Sequence, residues 1–491
     1  MGIKMKLNAV YFAVFLFFAG AFFAAAAPEG TASENDASEN DAAAAEAAAS
    51  AVEEERLRET IKYGTDNEIS DLIKKLRGDK IYYLDDDLLQ LAKKTRNQNI
   101  IIGIFSFFSE RGQIGLEEPA LAILNGRENE TPQKISAALD YLGSVKEKNA
   151  LPVITEIISS DDVQFDSMAI RVLGKIIYKE PDAASNAAAA DKASGGADSG
   201  GMAEITEILI DYYNNRSPND DTRQSIISAA GSAGGEAAAP FLLEIINNDE
   251  LSAPIRMSAL DGAAKLGSSD LIDSVLAASS SGDPNIRFAA VEALGSFSGE
   301  AVDTAILESF RDTYFKTRLA AIRSAKKRRI KEAIPYLRYR AEKDEASAIK
   351  EAAVLALGDF HDTDADSAIF IIFSDTKNSD SLRSLCAEAL IKNNAGKYAE
   401  NIITKLDEAK VKKQTALYKG LLKALSFAKT DKVENLTARL FASTDVAEKF
   451  YALDMTANNR FTAFKSEVEK LTQEKNLSLS RRAKTTLEKL S

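Results

Sequence analysis

A single cysteine, Cys386, rules out a disulfide within the chain, and a single histidine, His361, leaves Cys and His together short of the ligands a protein zinc site needs. Tryptophan is absent. The Gly-rich phosphate loop, the Gly-x-Ser-x-Gly elbow and the His-Glu-x-x-His pair are missing too, so catalysis would rest on carboxylates or lysines that no motif singles out. Basic residues are outnumbered. The 61 Lys and Arg against 74 Asp and Glu give a formal charge of -13, which argues against nucleic acid as the principal partner, because phosphate binding needs a basic face. Long apolar runs are scarce as well, with one exception at the start.

Residues 1–27 carry Lys4 and Lys6, an apolar run from Leu7 to Phe23 broken by Asn8, and Ala24 to Ala27 ahead of Pro28. These are the charged, hydrophobic and small-residue zones of a secretory signal peptide. Pro28 disfavours cleavage after Ala27 and points to Ala25 or Ala26. The alternative is an uncleaved anchor long enough to span a membrane, the only route by which this reading allows membrane contact. Either way the remainder is expected outside the cytoplasm, periplasmic or secreted. No cysteine follows the apolar run, which excludes a lipoprotein. Removing the leader takes the charge from -13 to -15. Residues 28–52 repeat Ala-Ser-Glu-Asn-Asp at 32–36 and 37–41 and then run into alanines. With almost nothing to bury, this stretch reads as a disordered acidic spacer.

The remaining length exceeds what one compact core usually holds, and its apolar residues recur with a period. Ile286 to Gly295, preceded by Asp283 and Pro284, is the clearest unit: a helix whose apolar stripe it cannot bury alone, followed by a second apolar helix at 301–310. Taking Arg287 as reference, the same pattern aligns Lys134, Asp166, Arg223, Arg256, Arg318, Lys350, Arg383, Tyr418, Lys449 and Arg482. Successive spacings are 31–35 residues except for one of 57, between Asp166 and Arg223. That interval holds an Ala-, Ser-, Gly- and Asp-rich tract, read as a disordered insertion at 180–202. Three positions past the reference stand mostly small residues, among them Ala259, Ala290, Ala321, Ala353 and Cys386, which let helices approach closely. Eight past it stand Gly174, Gly231, Gly295 and Gly358, expected to end the first helix at least steric cost. Pro152, Pro240 and Pro335 open the second helix, where a missing amide hydrogen does no harm. Residues 53–130 follow the pattern in degenerate form and 131–491 follow it clearly.

This unit resembles the HEAT repeat, in the short form named after phycobilisome lyases, where an Arg-containing helix ends in Ala-Leu-Gly. Ile286 to Gly295, Ile349 to Gly358 and Thr222 to Gly231 carry the likeness best. It implies an all-α fold, a right-handed alpha-alpha superhelix (HEAT/armadillo-type solenoid) of about 12 helix pairs whose face holds a partner. Some relatives of this repeat attach bilins and others excise DNA bases. Export, acidic balance and the missing nucleophile or His network argue against both. The reading is therefore a non-catalytic, cofactor-free scaffold for protein partners in the cell envelope, as a monomer, with a membrane-anchored assembly factor or a bilin-lyase-type enzyme as alternatives.

Three features invite chemistry. Cys386 sits in the small-residue column and reads as a packed core thiol. Asp362, Asp364 and Asp366 alternate like the start of a calcium loop, but Ser367 stands where glycine is needed and Phe373 where a bidentate Glu is, so capping of a helix starting near Ser367 is the simpler reading. Aspartates before the Arg column, such as Asp312 and Asp344, suit helix starts or pairs along the stack. The largest departure is 311–340, with eleven basic residues against Asp312 and Glu332, a local +9 in an acidic chain. Arg323, Lys326, Lys327, Arg328, Arg329, Lys331, Arg338 and Arg340 are its candidate partner-binding residues, for an acidic protein or another anionic envelope component. The competing reading is a solvated face neutralised by acidic neighbours.

Overall fold

A computed structural model of the protein describes residues 51–160, 163–178 and 199–490. The signal peptide expected at 1–27, the acidic spacer apart from its last two residues, and 180–198 of the expected insertion lie outside the described residues. Among the described residues there is no strand, and no helix is long and apolar enough to cross a membrane. The described residues divide into two compact units, those up to Leu91 and those from Ala92 on.

In the first unit α1 (51–63), α2 (Asp66–Asp79) and α3 (Asp85–Ala92) gather Leu57, Ile61, Ile69, Leu72, Leu76 and Leu88. Thr65 and Glu68 form a reciprocal capping box that starts α2, and Arg58 ties α1 to Asp87 of α3 at 2.5 Å.

The second unit is a run of antiparallel helix pairs. Their first helices are α4 (Gln98–Ser109), α6 (Pro132–Ser144), α8 (Asp166–Ile177), α10 (Asp220–Ala233), α12 (Ala253–Leu266), α14 (Pro284–Leu294), α16 (Phe315–Arg328) and α18 (Ser347–Asp359). Their second helices are α5 (Glu117–Asn125), α7 (Leu151–Ser159), α9 (Ser199–Asn215), α11 (Ala238–Asn247), α13 (Ile272–Ala278), α15 (Glu300–Ser309), α17 (Ile334–Lys343) and α19 (Thr363–Ser374). Next comes α20 (Asp380–Val411), followed by α21 (Thr415–Ser426), α22 (Glu434–Phe441), α23 (Val446–Asn459), α24 (Lys465–Leu471) and α25 (Leu477–Leu490). Each first helix packs on the next first helix, and second helices such as α11, α13 and α15 follow one another in a second row. The core lies between the rows.

Local sequence explains the unit. In α14 the Asp283 carboxylate accepts from the Asn285 amide at 2.7 Å, Pro284 fixes the first turn, and Ile286, Ala290, Val291 and Leu294 face inward. Fully burying each branched side chain is worth about 1.5–3 kcal/mol, so the stripe that no helix covers alone is what drives stacking. Pro152 and Pro335 are the second residues of α7 and α17, and Pro240 lies in the first turn of α11. The insertion falls between the two helices of one repeat, and its last residues, 199–202, form the first turn of α9.

Two expectations change. Of the glycines eight past the reference, Gly295 ends α14 as expected, though with φ -59° rather than in the left-handed region, whereas Gly174, Gly231 and Gly358 lie inside helices. Gly231, Gly295 and Gly358 serve close approach of the next helix. A Cβ on Gly231 would stand 2.5 Å from the Gly262 Cα, so α10 and α12 touch backbone to backbone there. The left-handed turn comes later and often without glycine, at Lys146, Arg329, His361 and Arg460. The register also slips at either end of the clear array, by one or two residues at the first end and by two at the last. Leu139 and Ala483 are wholly buried, whereas Ala137 is half-buried and Thr485 exposed.

One repeat has lost its connecting turn. In α20 the helix breaks at Asn394 (φ -153°, ψ 76°), so its first half carries Leu382, Cys386 and Leu390 in the first row and its second half carries Tyr398, Ile402 and Leu406 in the second. The neighbouring Asn393 amide donates to the Gly358 carbonyl at 2.9 Å and to Asp366 Oδ1 at 2.8 Å, locking the break onto the preceding repeat.

Candidate interaction surface

The reference column is a set of clasps. Arg256, Arg287, Arg318 and Arg383 each donate to carbonyls just after or at the end of the preceding helix: Ile246, Ser281, Asp312 and Phe373 respectively, at 2.9–3.0 Å. Those of Ile246 and Phe373 are carbonyls that a helix end leaves unpaired, and those of Ser281 and Asp312 lie in the turns just beyond. Two of the arginines also reach forward. Arg287 grips Asp312 through Nε (2.7 Å) and Nη2 (3.0 Å), and Arg318 grips Asp344 through Nε (2.8 Å) and Nη2 (2.9 Å). Burial alone would raise the Asp344 carboxyl. The Arg318 guanidinium, the Ala346 amide and Arg340 more than offset this and hold it below the usual carboxylate range. Asp312 is held down in the same way by Arg287 and the Tyr314 amide. The Arg and Asp columns thus join repeats, with Asp283 doing the helix-start work.

The eight basic candidates are distributed rather than gathered. Arg323, Lys326 and Lys327 lie along α16 in the first row, Arg328, Arg329 and Lys331 edge the turn, and Arg338 and Arg340 lie on α17 in the second row. Most meet an acid: Arg323 with Glu292, Lys326 with Asp359, Arg328 with Asp303, Lys331 with Asp362, Arg338 with Glu342 and Arg340 with Asp344, at 2.5–3.3 Å. All these acids lie outside 311–340: Glu292, Asp303, Asp359 and Asp362 come from adjacent repeats, and Glu342 and Asp344 from the end of α17 itself. The pairs differ in kind. Arg328 also donates to the Phe297 carbonyl and is largely buried, which makes it part of the stack. Lys327 donates to Ser296 Oγ at 2.9 Å, and although its side chain as a whole is exposed, burial of the ammonium pushes it below the usual lysine range. By contrast Lys331 is 74% exposed, Arg323 is 56% exposed, and Arg329 stands exposed on a left-handed cap (φ 54°). Exposed pairs hold by about 0–1 kcal/mol, so these cations can exchange partners.

Sequence reasoning could not find the split, because the residues are contiguous in sequence while the turn sends them to different rows. The aromatics divide likewise: Tyr336 stacks with Phe310 and takes Arg311 over its ring at 5.6 Å, while Tyr339 is 57% exposed.

The other candidates have structural work. Cys386 is wholly buried, and burial pushes its thiol up to about 12. Asp362 accepts from the Asp364 amide at 2.8 Å, capping a helix that begins at Thr363, four residues earlier than Ser367. Asp366 accepts from Asn393. His361 occupies the left-handed turn at φ 49°. Among the described residues no cluster of His, Cys, Asp and Glu is arranged to hold a metal ion.

Stacked helix pairs with a two-row core, Arg clasps and proline-opened second helices define a HEAT-repeat alpha solenoid. The match of residues 61–486 to the model for the Spirochaete HEAT repeat protein family shows that this chain belongs to that family. Comparison with curated proteins gave no match. Among solved structures, importin beta is similar at a TM-score of 0.49 and 11% identity, covering 88% of this chain and 67% of that one. Kap121p is similar at 0.43 and 12% identity over 88% of this chain and 53% of its own, so this chain spans about half the length of Kap121p.

Proposed function

We propose that this protein is an exported, non-catalytic scaffold that binds a protein partner through its helical repeats, using the edge of α16 and the turn after it. The observation that carries the reading is the contrast within one basic stretch: Arg318, Arg328 and Arg340 are committed to the stack, while Arg323, Arg329 and Lys331 are exposed and loosely held. An acidic partner would replace Glu292 and Asp362 at little cost, and such a patch steers association more than it adds affinity. A surface built from rigid stacked helices also presents these groups with little ordering cost on binding. Export rests on the sequence of residues 1–27. Cell fractionation with intact mass tests it: loss of 25 or 26 residues in an extracytoplasmic fraction supports secretion, full mass in the membrane supports the anchored form, and a cytoplasmic full-length chain overturns export. Crosslinked capture with and without Arg323, Arg329 and Lys331 tests the binding edge.

A further inference from the structure

A cleft of about 590 Å³ opens between α6, α8 and α10, with Ser144, Lys146, Arg171, Lys175, Tyr178 and Ser225 in its lining and no acidic residue there. Its volume is within the range of small-molecule sites. Tyr178 is one of its lining residues. The Lys146 ammonium lies 5.5 Å from the ring centroid and the Lys265 ammonium, from α12, lies 5.4 Å from it, so the two charges are no more than about 11 Å apart. Arg171, Lys175 and Tyr178 fall on one face of α8 at successive turns.

Basic residues at helix C-termini are ordinarily explained by the helix dipole, and Lys146, Lys175 and Lys265 all lie near such ends. Here the ends are already closed by backbone. The carbonyls of Tyr141, Leu142, Gly174 and Ala263 accept from the amides of Val145, Glu147, Tyr178 and Gly267. The ammoniums of Lys146 and Lys265 approach the Tyr178 ring instead, and Lys175 lines the same cleft. Two of the four cations are partly compensated, Lys265 by Asp261 at 2.8 Å and Arg171 by Asp140 at 3.7 Å. Among the described residues Lys146 and Lys175 have no carboxylate within ion-pair distance. Hydroxyls complete the lining: Lys265 donates to Ser228 Oγ at 2.6 Å, and Ser144 and Ser225 line the same space.

Four cations, two of them without a carboxylate partner among the described residues, beside neutral hydrogen-bonding groups, are complementary to a compact anion. We propose that this cleft binds a small multivalent oxyanion, bearing phosphoryl or carboxylate groups, between Lys146, Lys175 and Lys265 with Tyr178 as its floor. In a chain of charge -13 the cleft is a local focus of positive potential, so binding weakens as salt rises. It lies on α6, α8 and α10 rather than on α16 and its turn, so its test is independent of the partner edge proposed above.

The experiment is calorimetric titration of the purified protein with pyrophosphate and, separately, with citrate, at low and raised salt, beside the double variant Lys146→Ala, Lys175→Ala. Both lysines are exposed, and unchanged circular dichroism checks the fold. The expected result is saturable binding of at least one anion, weakened about tenfold or more in the variant as charge-assisted contacts are lost. The anion preferred distinguishes phosphoryl from carboxylate ligands. No saturable binding by the unaltered protein, or equal binding by the variant, overturns the proposal.

Discussion

Arg318 holds Asp344 bidentately across a repeat boundary, and the two are 4% and 3% exposed. A buried pair contributes little net stability relative to an apolar pair, but breaking it strands a charge. Arg318→Ala or Asp344→Ala is therefore expected to destabilise by about 3–5 kcal/mol, with the double variant less damaging than the sum of the two. Chemical denaturation of the four proteins checks it. The pH dependence has a definite sign. Because the folded Asp344 carboxyl lies below the ordinary range, its contribution is present above about pH 4 and is lost as pH falls through the lower folded value. The stability gap between the natural chain and Asp344→Asn should be widest at neutral pH and close in acid.

Gly231→Ala is expected to cost about 1–3 kcal/mol, since the new methyl meets the Gly262 backbone and no flexible side chain can give way. Gly78→Ala is the control. Nothing lies within 4 Å of its Cβ position on the exposed side of α2, so it should stabilise by about 0.5–1 kcal/mol. Melting temperatures of the two variants should move in opposite directions.

Adjacent arginines should behave oppositely as well. Arg329→Gly relieves a left-handed backbone at the end of α16 and is expected to gain about 0.5–1 kcal/mol. Arg328→Ala removes the donors to the Phe297 carbonyl and Asp303 and is expected to cost about 1.5–3 kcal/mol. Thermal unfolding of both single variants tests the division between exposed and stacked cations.

Cys386 should not react with a disulfide reagent at pH 8 in the native protein, because the thiol is wholly buried and pushed up to about 12, leaving almost no thiolate. Complete reaction after urea unfolding is the expected contrast, read by absorbance. Prompt native labelling would mean that α20 opens readily.

The repeat was legible because its cause is local. A stripe of Ile286, Ala290, Val291 and Leu294 at helical spacing, with Pro335 opening a second helix, needs no tertiary knowledge to recognise. The role of Gly231 was not legible, because a glycine that ends a helix and a glycine that admits another backbone look alike in one dimension. Arg287 and Arg318 stood out in sequence, but their grip on Asp312 and Asp344 depends on distances between repeats. The cleft at Tyr178 draws on Lys146 and Lys265, residues on either side of the 57-residue interval, so no window of sequence displays it.

The most direct test of the scaffold reading is quantitative crosslinked capture from the native envelope, comparing the unaltered protein with the variant Arg323→Ala, Arg329→Ala, Lys331→Ala. These positions are exposed and leave Arg318, Lys327 and Arg328 in place to hold the stack. A partner captured in stoichiometric amount by the unaltered chain, and lost from the folded variant, is the expected result. A partner recovered equally by both would contradict the assigned edge, and no saturable partner at all would contradict the scaffold function.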